Sequence, residues 1–298
     1  MHGKSQSQPN NLKDTFKLPD NSTRSEVRSR DGTKLVCREW RTSPPGRGTI
    51  LLVPGLGEHS GRYLHVGEFF RNAEFDVLAI DVRGQGRSGG IAGYAARYDD
   101  FLDDIRAAVA LVRVYPLILL GHSFGGQLVL ALARRMEPNI AGYIASAPWL
   151  ALTSPPPGWL AGIAALLNVL LPKFRLPTGL DSGSMSTDQV HLDSLADLDL
   201  DHGSITVRGY FEISAEADRL LKSACACAPV LIAHGVPDPV TSVEGTKTFF
   251  GSLKAPAKEL KIYNGYLHEL HNETGRDQVL NDYLAWIERS LFKSDPLR

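Results

Sequence analysis

Short apolar runs alternate with longer amphipathic segments along most of this chain. Residues 48–53 (GTILLV), 76–81 (DVLAID), 117–121 (LILLG), 140–146 (IAGYIAS) and 229–234 (PVLIAH) read as buried strands. Segments 62–72, 98–115, 124–136, 242–252 and 275–292 read as helices. In the second of these, Phe101, Leu102, Ile105, Ala108, Val109 and Val112 recur at three- and four-residue steps, which places them on one face. Strands that alternate with helices imply an α/β fold with a mostly parallel sheet flanked by helices. Two earlier runs, 24–30 and 34–41, flank Asp31-Gly32, a hairpin signal, so antiparallel strands are expected at one sheet edge.

The alternation stops between 148 and 215. That stretch opens with Pro148, Pro155, Pro156 and Pro157, continues through the apolar run 159–171 and then turns polar and acidic. The strand rhythm resumes at Pro229. An insertion that interrupts a βα series and lets it continue is expected to form a cap over the core. The expected organisation is therefore an N-terminal flexible arm over 1–23, a core over 24–147 and 216–298, and a helical cap over 148–215.

With 298 residues, 43% of them hydrophobic, the chain can bury a sizeable core. A formal net charge of -1 leaves no basic footprint for nucleic acid. Cys37, Cys225 and Cys227 make no disulfide framework, and no Cys/His/Asp/Glu cluster has metal-ligand spacing, so neither a metal nor a cofactor is expected. The polar N-terminus has no signal-peptide core, and no run is long enough to span a bilayer. A cytoplasmic protein is expected, with any membrane contact peripheral.

GHSFGG at 121–126 fits Gly-x-Ser-x-Gly, set between an apolar strand and the helical run QLVLALARR. A sharp strand-to-helix turn needs small neighbours, supplied by Gly121 and Gly125, and it lifts Ser123 to the carboxyl edge of the sheet at a helix N-terminus. A serine hydroxyl is a weak nucleophile that needs a base, itself oriented by a carboxylate. Asp238 follows the end of the strand PVLIAHG, and His268 follows the strand LKIY at 260–263. The expected triad is therefore Ser123, Asp238 and His268, in the order usual for this fold. His271 is the rival base, three residues on; His268 is preferred because it lies nearer the strand end. His122 belongs to the turn, His234 reads as a hydrogen-bonded core residue, and His59 and His65 precede any acid in chain order. The oxyanion donors are expected to be the backbone N–H groups of Phe124 and of Leu56, within Pro54-Gly55-Leu56-Gly57. The glycine-rich stretch 81–90 (DVRGQGRSGG) lacks the remaining features of a phosphate or dinucleotide loop and reads as a structural loop beside the site.

On PGLGEHSGRY (54–63), DVRGQGRSGG (81–90), GHSFGG (121–126), LIAHGVPDPV (231–240) and YNGYLHELHNE (263–273), the chain resembles the monoacylglycerol lipase, or lysophospholipase-like, group of α/β-hydrolases. The resemblance spans roughly 24–290 and is weakest in the cap. It implies cleavage of a monoacylglycerol to fatty acid and glycerol through an acyl-enzyme. It also implies a tunnel for the acyl chain under the cap, with glycerol contacts at Glu58, Arg62 and His271. The sequence departs from the pattern at Pro54, where a histidine is usual, and at Phe124, where methionine is common. The first change leaves the oxyanion N–H available; the second is expected to narrow the acyl entrance. The run 159–171 has one polar side chain, Asn168, and is expected to pack over the tunnel, to dock on lipid, or both.

Other readings compatible with these residues are a lysophospholipase, a general carboxylesterase, a thioesterase, and a ligand-binding relative without catalysis. Dehalogenase or epoxide hydrolase chemistry is excluded because it needs aspartate where Ser123 stands. A peptidase specific for free amino termini should offer acidic groups in the cap, and the sequence does not locate them.

Overall fold

In the computed structural model, residues 16–17, 21–180, 182–195 and 198–292 are described. The expected arm over 1–23 lies largely outside them; within it, Phe16–Lys17 (β1) pairs antiparallel with Thr23–Arg28 (β2).

The hairpin expected around Asp31-Gly32 forms from β2 and Lys34–Trp40 (β3), with the Asp31 carboxylate accepting from the N–H of Thr33 at 3.0 Å. The parallel part consists of Thr49–Val53 (β4), Asp76–Asp81 (β5), Leu117–His122 (β6), Ile140–Ser146 (β7), Val230–Val236 (β10) and Lys258–Asn264 (β11). Their order in the sheet is β1-β2-β3-β5-β4-β6-β7-β10-β11. β4, β5 and β6 are buried along their whole length, as β-branched and leucine-rich strands covered on both faces must be. On one face, Tyr98–Val109 (α2), Phe124–Arg134 (α3), Val207–Lys222 (α6) and Val243–Ser252 (α7) cover a core that includes Phe101, Leu128 and Ile213. On the other, Leu64–Asn72 (α1) and Arg276–Leu291 (α8) cover Trp40, Phe70, Tyr283 and Trp286.

α2 stops at Val109, short of the expected 115. The carbonyls beyond it have partners outside any helix: Leu111 O accepts from Arg41, Val114 O from the Thr49 hydroxyl, and Pro116 O from the Thr49 N–H. The segment therefore leads directly into the sheet.

The interruption after β7 holds Leu160–Leu170 (α4), Gln189–Asp193 (α5) and an antiparallel ribbon of Arg175–Pro177 (β8) with Ser204–Thr206 (β9). α6 begins at Val207, capped by Thr206, whereas the expected core resumes at 216. The β-rhythm returns only at β10, which is why helix α6 is hard to separate from the insertion by strand spacing alone.

Candidate active site

Ser123 sits between β6 and α3 with φ 52° and ψ −114°, a left-handed conformation that a side-chain-bearing residue adopts at a cost of about 1–3 kcal/mol. Its surroundings enforce it. Ser123 N–H donates to Ser146 O at 2.9 Å, and Trp149 N–H donates to Ser123 O at 3.0 Å. A Cβ on Gly125 would lie 2.0 Å from Val53 O, so only glycine lets the start of α3 approach the end of β4. Phe124 is the first residue of α3, where the N–H has no acceptor one turn back. Its ring packs edge-on against Phe101, with centroids 5.0 Å apart, and is fully buried in the core. The expected narrowing of the acyl entrance by this side chain is thus corrected: a helix's first side chain here points into the sheet-facing core, and the ring is no part of the cavity wall.

Asp238 follows β10 and is buried. One carboxylate oxygen, Oδ1, accepts the N–H groups of Val240 (2.7 Å) and Thr241 (3.0 Å). The other, Oδ2, accepts the Thr241 hydroxyl (2.8 Å), His234 Nε2 (3.0 Å) and His268 Nδ1 (2.8 Å). Burial opposes ionisation of this carboxyl, but the His268 imidazole and the hydrogen bonds from His234 and His268 outweigh it and hold the group well below the usual carboxylate range. For His268, burial disfavours the proton, and the Asp238 charge and hydrogen bond reverse that effect, so its pKa is raised. With Nδ1 committed to Asp238, Nε2 is the nitrogen left for proton transfer. His234, expected as a hydrogen-bonded core residue, is fully buried, with the Thr246 hydroxyl 2.9 Å from its Nδ1. The loop that carries His268 is held by buried Glu273, whose Oε1 accepts the Leu267 N–H at 2.6 Å.

The loop after β4 is braced from 81–90. Gln85 Oε1 accepts the Gly57 N–H at 2.7 Å, and Asp81 accepts the N–H groups of Ser60 (2.7 Å) and Arg87 (3.0 Å). This glycine-rich segment supports the Leu56 loop by hydrogen bonds from its side chains.

Ser123, Leu56, Glu58, Arg62 and His268 all line one cavity of about 950 Å³ beneath the cap. Its apolar wall includes Leu160, Ile163, Leu167 and Leu176 from the cap, with Val207 and Tyr210 from α6. At the other end, Glu58 Oε2 accepts from the Gly55 N–H (2.9 Å) and the Tyr63 hydroxyl (2.6 Å). Arg62 is committed on both sides: Nη1 donates to Asp201 at 2.6 Å, and Nη2 donates to both oxygens of Glu269 at 3.0 and 2.8 Å. His271 stands apart from this wall. It is buried, stacked on Tyr63 with centroids 4.6 Å apart and edge-on to His122 at 4.9 Å, and burial together with His122 pushes its pKa far down. His122 is likewise buried, with its pKa lowered to about 3 by burial and by neighbouring His268.

Sequence reasoning missed Thr241, Glu269 and Asp201. Thr241 follows Asp238 by three residues and could have been read as its turn partner. Asp201 lies in the cap against Arg62, so the acidic group not located there from sequence is present. Among the described residues no cluster of His, Cys, Asp or Glu could hold a metal ion.

A strained strand-to-helix turn, a buried acid–imidazole pair and a mainly apolar cavity form a site suited to acyl transfer. Comparison with known proteins agrees. A monoacylglycerol lipase of Mycolicibacterium smegmatis is 31% identical over 276 residues, 89% of this chain and 98% of that protein. A Bacillus subtilis phospholipase is 25% identical, with 84% of this chain and 98% of that protein covered. The crystal structure of Paleococcus ferrophilus monoacylglycerol lipase superposes with a TM-score of 0.77 at 29% identity, covering 86% of this chain and 99% of that one. The family described as serine aminopeptidase, S33, matches residues 44–275, and the chain belongs to that family and to the α/β-hydrolase fold.

Proposed function

We propose that this enzyme hydrolyses monoacylglycerols to a fatty acid and glycerol through an acyl-enzyme on Ser123. The observation that carries the reading is the cavity under the cap, which has Ser123 and His268 in its wall, apolar cap side chains such as Leu160 and Leu167, and the polar cluster of Arg62, Asp201 and Glu269. Ser123 Oγ attacks the ester carbonyl while His268 Nε2 takes its proton. The backbone N–H groups of Leu56 and Phe124 stabilise the oxyanion. On collapse, the C–O bond to glycerol breaks and His268 returns the proton to the leaving alkoxide. Water, deprotonated by His268, then attacks the acyl-enzyme, and the proton goes back to Ser123 as the fatty acid is released. Asp238 holds the imidazole in the required tautomer and stabilises its cationic form. Glu58 is a hydrogen-bond acceptor for a glycerol hydroxyl. Arg62 and His271, implied as glycerol contacts by resemblance, act here mainly by fixing the walls, because Arg62 is already paired and His271 is stacked behind Tyr63.

Along α4, Leu160, Ile163, Ala164 and Leu167 line the cavity, while Trp159, Leu166 and Val169, at 73, 59 and 74% exposure, face away from it. No described helix is long and apolar enough to cross a membrane. An outward apolar face above the acyl end of the cavity suits peripheral docking on lipid.

The family description makes an aminopeptidase the second reading, and the carboxylates of Glu58, Asp201 and Glu269 near the polar end favour it. The test is turnover of monoacylglycerols, p-nitrophenyl esters and aminoacyl-anilides, with fluorophosphonate labelling of Ser123. Monoacylglycerol should be the preferred substrate, and Ser123→Ala should abolish labelling. His268→Ala should lower kcat at least ~10³-fold while His271→Ala does not. Preference for the anilides would replace this reading with the second.

A further inference from the structure

The polar end of the cavity has an unusual charge balance for a site that must discriminate among glycerol esters. Among the described lining residues the carboxylates are Glu58, Asp193, Asp201 and Glu269, against one cation, Arg62. A lone arginine in an active-site wall would be an anion receptor, since its planar fork suits phosphate. Here both halves of that fork are taken, one by Asp201 from the cap and the other by both oxygens of Glu269. Glu269 is itself fixed by the Asn272 amide at 2.6 Å and, through its backbone N–H, by Met185 O at 2.8 Å, so it cannot easily turn away. It is also the residue next to His268, which puts its charge beside the reacting ester.

We propose that Glu269 and Asp201, by occupying Arg62 from both sides, make the head-group end of this cavity reject acyl esters of glycerol phosphate and accept those of uncharged glycerol. The inference rests on the reading of the site as a monoacylglycerol hydrolase and names what sets its choice of head group. A phosphate brought to this end meets, at a pH where His268 is neutral, no unpaired cation and two carboxylates in a partly desolvated wall. One such like charge within about 6 Å, at an effective dielectric of ~20, is enough to weaken binding by tenfold or more. An uncharged diol meets only acceptors, to which its hydroxyls donate.

The decisive experiment is competition against hydrolysis of p-nitrophenyl butyrate by the full-length enzyme, using octanoylglycerol and octanoyl glycerol 3-phosphate, which share one acyl chain. Wild type should bind the phosphate ester at least ~30-fold more weakly than octanoylglycerol. Glu269→Gln and Asp201→Asn, each tested separately, should tighten the inhibition constant of the phosphate ester about tenfold and change that of octanoylglycerol much less. The preference should depend on salt, narrowing as ionic strength rises. Equal competition by the two esters in wild type, or an unchanged constant for the phosphate ester in both variants, would overturn the proposal. If octanoylglycerol neither turns over nor competes, the monoacylglycerol reading fails, while the response of the phosphate ester to the two variants still decides whether these carboxylates exclude it.

Discussion

Asp238 leaves neither carboxylate oxygen idle, and that determines the proton affinity of the base. Two backbone N–H groups fix Oδ1, while Thr241, His234 and His268 converge on Oδ2. The resulting fixed negative charge lifts the His268 pKa above the ordinary imidazole value of 6.5 in spite of burial, with Glu269 and Glu58 adding in the same direction. In the proposed mechanism His268 must be neutral to take the Ser123 proton, so a raised pKa moves the loss of activity to higher pH. The acid limb of kcat/KM for a short uncharged ester should have its midpoint above pH 6.5, and Glu269→Gln should move that midpoint down. A wild-type midpoint at or below 6.5 would contradict control by Asp238. The meeting of Asp238 with His268 was legible because each follows a strand in chain order, and Ser123 stands at the strand-to-helix turn that its flanking glycines predict. Thr241 and Glu269 were not, because their importance depends on which side chain they meet, and a linear pattern carries no such information.

At the scale of elements, the strands were the most legible part, since buried parallel strands are apolar along their whole length and stand out from amphipathic helices. Helix ends were less so: α2 yields its last expected turn to Arg41, just past β3, and to Thr49 on β4, contacts made across more than fifty residues. Cap helix α4 shows why its role was left open. Its sequence is apolar save for Asn168, and the fold uses the two faces differently, one as cavity wall and one as surface. In the proposed docking on lipid, only the outward face takes part. Changing Leu166 and Val169 together to Asp should weaken sedimentation with phosphatidylcholine vesicles by tenfold or more, since two buried aliphatic side chains contribute about 3 kcal/mol or more. Turnover of a water-soluble p-nitrophenyl ester should change far less. Loss of both activities in parallel would place that face in the cavity or core, and retention of vesicle binding would remove α4 from the docking surface.

Across the whole molecule, the cap and core are joined at the site itself. Asp201 reaches Arg62, His202 N–H donates to Gly57 O at 3.0 Å, and a Cβ on Gly57 would lie 2.2 Å from His202 O, so the cap segment before β9 lies directly on the loop that carries Leu56. Glu273 holds Thr187 of the cap by its N–H at 3.0 Å and the His268 loop by the Leu267 N–H. None of these cap–core contacts was legible, because their partners are 86 (Thr187–Glu273) to 145 (His202–Gly57) residues apart and the cap has no repeating pattern to set a register. The join should depend on pH. Burial raises the Asp201 pKa from 3.8 to about 6, Arg62 opposing and Glu58 and Glu269 reinforcing the rise. A carboxyl whose folded pKa is raised binds its proton more tightly in the closed state. Its contribution is therefore fully present below about pH 4 and is lost as pH rises through about 6. After allowance for its partial exposure, the change is about 1 kcal/mol, or roughly fivefold in the opening equilibrium. Hydrogen exchange of the His202 amide, corrected for the intrinsic pH dependence of exchange, should show protection falling by that factor between pH 5 and 7.5. In Asp201→Asn, which keeps an acceptor for Arg62 but cannot ionise, protection should be flat over the same range. A wild-type amide that gains protection with rising pH would mean that the ionised Asp201–Arg62 pair, rather than the protonated carboxyl, is what holds the cap closed.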